Sequence, residues 1–176
     1  MIAPDSASSV PDAQDSRPRR LGLFGGSFNP IHNGHLAIAR KAHEILALDM
    51  TLLIPTGDPP HKQDGALAPA HYRYAMVRLA IEGPPGFELS DIEIARQGKS
   101  YSIDTVRELQ RRYGSETLLY FLIGLDAFLD LPSWREPDAL LAACSFVVIS
   151  RPGQSFQNLT TLPFLQNISP NQLAPL

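Results

Sequence analysis

The chain has 176 residues, 44% of them hydrophobic and 19% charged, with a formal net charge of -3. That length suits one domain with a substantial core, and the acidic balance excludes nucleic-acid recognition through a broad basic surface. The single cysteine, Cys144, excludes an internal disulfide and fits a buried thiol in a reducing cytoplasm. No apolar run reaches the roughly 18 residues of a membrane span.

In chain order, residues 1–18 are rich in Ser, Asp and Pro and have no apolar h-region, so they read as a disordered tail. The folded domain is expected over 19–153. Short apolar runs at 21–24, 51–55, 87–94, 117–124 and 145–150 read as strands. Helical periods lie between them. The first starts near Asn33 or Gly34 and aligns Ile38, Ala42, Ile45 and Leu46; the second opens at Pro69 with Tyr72, Ala75, Met76 and Leu79 inward. A third begins with Ser102 as N-cap, aligns Ile103, Val106, Leu109 and Tyr113 and ends at Gly114, and a fourth follows Pro137. Residues 154–176 show no persuasive period and stay unassigned.

Strand and helix alternating at this spacing predict an α/β fold, a doubly wound parallel five-stranded sheet with helices on both faces. Such sheets bind ligands beyond the carboxyl ends of their strands, where the strand order reverses. If the fourth strand neighbours the first across that point, the loop GGSFNPIHNGHL (25–36) and the loop GLDAF (124–128) share one crevice.

The first loop fails several familiar chemistries. No Lys follows Gly34 as a P-loop requires, and Gly22, Gly25 and Gly26 lack the G-x-G-x-x-G spacing of a dinucleotide fingerprint. Asn29 stands where a nucleophile elbow around Ser27 needs Gly. His32 and His35 lack companion zinc ligands nearby. Anion binding fits better: glycine backbone lets a phosphate approach closely, the helix start supplies N–H groups and the positive end of a dipole, and two imidazoles flank it. Such donors strengthen as charge builds in a transition state, without a covalent step.

The pair His32 and His35 around Gly34 resembles the H-x-G-H signature of the nucleotidyltransferase superfamily. With IPTGDPPHK, YSIDT, FLIGLDAFLDLPSW and ISRPG in that order, residues 20–153 resemble bacterial nicotinate-nucleotide adenylyltransferase. The resemblance implies a Rossmann-like nucleotidyltransferase fold and transfer of the adenylyl group of ATP to nicotinate mononucleotide. The products are deamido-NAD and pyrophosphate, a step of NAD biosynthesis. It implies Mg2+ carried with ATP and held by no protein cage. By resemblance His32 and His35 are catalytic; Gly25, Gly26, Ser27, Phe28, Gly124 and Asp126 hold ATP, with Lys62 and Arg151 as further phosphate contacts. Thr105 and Trp134, with Ser102 at the helix start, form the nicotinate mononucleotide pocket. The partners implied are these two nucleotides, with neither nucleic acid nor membrane.

The family's C-terminal pattern I-S-x-[ST]-x-x-R has no true counterpart. In ISPNQLA, Asn171 and Ala174 replace its Ser/Thr and Arg and Pro170 interrupts it, so the expectation is a chain that ends before the motif, with impaired phosphate binding. Three other readings stay open: a noncatalytic nucleotide-binding remnant, phosphopantetheine adenylyltransferase, and a flavodoxin-like carrier that needs no histidine pair.

Overall fold

The computed structural model describes residues 19–60 and 67–150, together with the backbone of 173–175. Six strands form one sheet: β1 (Arg20–Gly26), β2 (Met50–Pro55), β3 (Phe87–Leu89), β4 (Leu118–Gly124), β5 (Ser145–Ile149) and β6 (Leu173–Pro175). Their order is β3-β2-β1-β4-β5-β6, and every pairing is parallel. The α/β doubly wound reading is therefore right, and so is the adjacency of the first and fourth strands. The strand count was one short, because Leu173–Pro175 adds to the edge beside β5. Three residues are too few for a period-2 pattern to reveal.

Strand alternation explains the double winding. Leu21, Leu23, Leu52, Ile54, Phe121, Ile123, Phe146 and Val148 point to one face; Phe24, Leu53, Leu122 and Val147, their neighbours along the strands, point to the other. Because both faces are apolar, both must be covered. Helices α1 (Asn33–Ile45) and α2 (Ala70–Ala80) cover the second face through Ala39, Ala42 and Val77. Helices α3 (Ser102–Tyr113) and α5 (Pro137–Ala143) cover the first through Ile103, Val106, Leu109 and Leu140. Each fully buried Leu or Ile contributes about 1.5–3 kcal/mol by leaving water.

Several local expectations are corrected. The third strand stops at Leu89; Ile92 and Glu93 are buried in a turn, where alternation no longer reports a sheet face. On α1, Ala39 and Ala42 face inward while Ile45 is 55% exposed. On α2, Tyr72 and Leu79 are exposed and the buried positions are Arg73 and Val77. Apolar periodicity misplaced that face because a cation sits at its centre. The N-cap of α3 is Tyr101, with Ser102 the first helical residue. A short helix α4 (Leu125–Leu129) and a 3-10 turn over Leu131–Ser133 follow β4 directly. The expected tail 1–18 and most of 154–176 lie outside the described residues.

Cys144 sits as expected in the core, 7% exposed, with Sγ 3.5 Å from the Leu140 carbonyl oxygen. Burial pushes its thiol up to about 12, so the nucleophilic thiolate is scarce even at alkaline pH. Native protein is expected to react with a thiol reagent at least about 100-fold more slowly than denatured protein; equal rates would contradict the buried placement.

Candidate active site at the strand switch point

Beyond the carboxyl ends of β1 and β4 lies a cavity of about 390 Å³, within the range of small-ligand sites. Its floor is bare backbone. Gly25 and Gly124 line it, and a Cβ built on either would meet no atom within 4 Å. Open space in front of two glycines at a switch point lets a ligand approach the main chain.

One rim is the turn from β1 into α1. Phe28 adopts a left-handed conformation (φ 43°) and is 2% exposed. Its ring packs edge-on against Phe24 at 5.6 Å and against His35 at 5.2 Å. That packing fixes a backbone conformation that would otherwise be costly. Phe28 thus shapes the loop from beneath, while Gly25, Gly26 and Ser27 supply the cavity lining.

The two histidines form a stacked pair, their ring centres 3.7 Å apart. Gly34 makes this possible, since a Cβ there would stand 3.0 Å from Nδ1 of His32. The His32 backbone N–H donates to Nδ1 of His35 at 3.3 Å. Nδ1 is then the acceptor, and the proton of a neutral His35 ring resides on Nε2. Burial, and secondly the neighbouring His32, lower the His35 pKa. At neutral pH His35 is accordingly an uncharged Nε2–H donor. It packs against Phe24, which lines the cavity; neither imidazole is itself in the lining.

The opposite wall is built around Glu93, 7% exposed. Its carboxylate accepts from the Thr105 hydroxyl at 2.9 Å, and from the Gly57 N–H and the Ser100 side chain. Burial raises its pKa; these donors and Arg96 oppose the shift. Arg96 in turn donates to Thr105 Oγ1 at 3.0 Å and to Glu108 at 2.9 Å. The Thr105 hydroxyl is therefore spent inside the protein. Ser102, Thr105 and Trp134 all line the cavity, with Trp134 edge-on to Phe121 at 6.4 Å. What Thr105 offers is wall shape, its own hydroxyl already committed.

Gly57 joins the two sides. Its N–H goes to Glu93, its carbonyl accepts from Arg73, and a Cβ there would run into the Glu93 carbonyl oxygen. Only glycine tolerates that approach.

Among the remaining predicted positions, Gly124 lines the cavity; Asp126 does not, although Ala127 and Asp130 do. Lys62 and Arg151 lie outside the described residues. Sequence reasoning missed Glu93, Ser100, Tyr101, Arg135 and Arg73. The first four line the cavity. A charged residue between Ile92 and Ile94 was a signal for Glu93, masked there by the strand reading. Among the described residues no cluster of three or more His, Cys, Asp or Glu gathers as metal ligands, and no helix is long and apolar enough to cross a membrane.

Comparison with known proteins agrees with this geometry. Residues 23–173 match the cytidylyltransferase-like family model. The probable nicotinate-nucleotide adenylyltransferase of Moorella thermoacetica is 46% identical over 144 residues, 82% of this chain and 66% of its own length. That of Pelobacter propionicus is 48% identical over 145 residues, covering 82% and 67%. The chain thus spans about two thirds of the length of these relatives. The nicotinic acid mononucleotide adenylyltransferase of Plasmodium falciparum, solved as a complex with NaAD, superimposes with a TM-score of 0.73 at 20% identity, over 90% of this chain and 75% of that one. At that identity the likeness speaks for the fold. The parallel sheet, the switch-point cavity, the stacked H-x-G-H pair and the sequence matches together place this chain in the cytidylyltransferase-like family, among the nicotinate-nucleotide adenylyltransferases.

Proposed function

We propose that the chain transfers the adenylyl group of ATP to nicotinate mononucleotide, forming deamido-NAD and pyrophosphate. The observation that carries this reading is the stacked His32–His35 pair at the start of α1, next to a glycine-floored cavity between β1 and β4. The mononucleotide phosphate is already an anion, so an oxygen of it attacks the ATP α-phosphorus without a general base. The bond from the α-phosphorus to the bridging oxygen breaks, and pyrophosphate leaves with the electron pair. Chemistry of this kind asks the protein for position and charge neutralisation.

Each element of the site has a part in that scheme. Gly25 to Ser27 receive the phosphates, and His35 donates from Nε2 to oxygens on which charge accumulates. His32 stacks on His35 and holds its Nδ1. Gly124 leaves room at the adenosine side, where Asp126 would act, if at all, from outside the cavity lining. Lys62 and Arg151 are further phosphate contacts in this reading. Trp134 offers a stacking face to the pyridine, and the first turn of α3 presents N–H groups to its carboxylate. Mg2+ enters as part of the Mg–ATP substrate. The setting in this reading is the cytoplasm.

The direct test is product formation from ATP, Mg2+ and nicotinate mononucleotide; ATP binding without product would reduce the chain to a nucleotide-binding module. His35→Ala should lower kcat by about 100-fold or more while leaving the melting temperature close to that of the unaltered chain. Near-normal turnover would contradict its role. With nicotinamide mononucleotide in place of the acid, kcat/KM should fall at least about tenfold, as expected when donors lose a charged acceptor. Equal efficiency would remove the carboxylate-reading argument.

A further inference from the structure

Arg73 is the largest fully buried side chain of the described residues, only 1% exposed. Its partners are four carbonyl oxygens: Ala68 (2.8 Å, from Nε), Ser27 (2.8 Å, from Nη1), and Thr56 (2.7 Å) and Gly57 (3.3 Å) from Nη2. No carboxylate among the described residues pairs with it. A buried cation held by carbonyls alone among the described residues is costly, and an apolar side chain in the same place would pack without that cost. The arrangement calls for a gain elsewhere, and the partners show where. Ser27 and Thr56 line the cavity, and they belong to separate segments, after β1 and after β2, where the Thr56 N–H to Gly26 carbonyl bond at 2.9 Å is the last main-chain link between the strand ends among the described residues and Arg73 adds a side-chain bridge beyond it.

We propose that Arg73 is a positioning residue for the adenylyl-transfer site, a role that rests on the function proposed above. Its planar fork turns the carbonyls of Ser27, Thr56 and Gly57 toward itself. In a trans peptide the N–H points opposite to the C=O, so the amides following those carbonyls are turned away from Arg73. The same contacts place a positive charge, with no carboxylate partner among the described residues, directly behind the wall that receives phosphate in this reading. Lysine cannot substitute, because one ammonium with three hydrogens does not span acceptors on three segments. By contrast, the Trp134 end of the cavity is held through Glu93 and Arg96, which Arg73 does not touch. The inference is therefore selective: loss of Arg73 weakens the ATP side and spares the mononucleotide side.

The test uses the full chain with Mg–ATP and nicotinate mononucleotide, comparing Arg73→Lys and Arg73→Gln with the unaltered protein by steady-state kinetics and thermal melting. In each variant that folds, the KM for ATP should rise about tenfold or more, with the KM for the mononucleotide within about twofold. Arg73→Gln should also lose part of the salt dependence of ATP binding, since it removes the buried charge. A folded variant with an unchanged KM for ATP, or with both KM values raised alike, overturns the proposal. Failure of both variants to fold assigns Arg73 to stability alone and overturns it too. An unaltered chain that forms no product overturns the proposed function, and this inference with it; product formation with normal Arg73→Lys kinetics overturns the inference only.

Discussion

Gly57 is clasped between two buried charges of opposite sign. Arg73 takes its carbonyl and Glu93 its N–H, and the backbone passes so close to Glu93 that no Cβ fits. Through this one residue the phosphate-side rim, held by Arg73 at Ser27 and Thr56, is tied to the opposite wall, held by Glu93 at Ser100 and Thr105. The two charges do not touch. Arg73 is satisfied by main-chain carbonyls alone, and Glu93 by a main-chain N–H, two hydroxyls and the nearby Arg96. The sheet puts the strand ends at one level; this clasp fixes the loops that leave them.

The histidine pair depends on the same economy of space. Gly34 admits the His32 ring, Phe28 in a left-handed turn supports His35, and the His32 N–H holds its Nδ1. The result is a neutral imidazole with its remaining proton on Nε2, poised by burial to stay uncharged. Glu93 carries the opposite bias: burial raises its pKa against the three donors and Arg96, which lower it.

Much of this was legible in the chain. Apolar runs separated by helical periods gave five strands, the parallel sheet and the adjacency of β1 and β4, because a sheet buried on both faces leaves a strong mark. Gly25, Gly26 and Gly124 stood out in the chain and line the cavity, and His32 and His35 stood out as a pair and stack on each other. Arg73 was invisible for a physical reason. A buried cation satisfied by carbonyls 5 to 46 residues away leaves no local pattern, and by occupying the inward face of α2 it shifted the apparent apolar stripe to Tyr72 and Leu79. Glu93 was hidden inside the run 87–94 that read as a strand, whereas β3 stops at Leu89. The role of Thr105 came from a resemblance, which identifies a position but not where its hydroxyl points; in the structure that hydroxyl serves Glu93. The three-residue edge strand β6 carries too little sequence to announce itself.

If the clasp at Gly57 holds both walls of the cavity, one added methyl there should disturb both ligands together. The decisive measurement is calorimetric titration of Gly57→Ala with Mg–ATP and, separately, with nicotinate mononucleotide, beside the unaltered chain. Both affinities should fall by about tenfold or more, as for overpacking of a tight contact, while circular dichroism retains the α/β signature. A folded Gly57→Ala protein that binds both nucleotides with unchanged affinity would show that the two walls stand without the clasp.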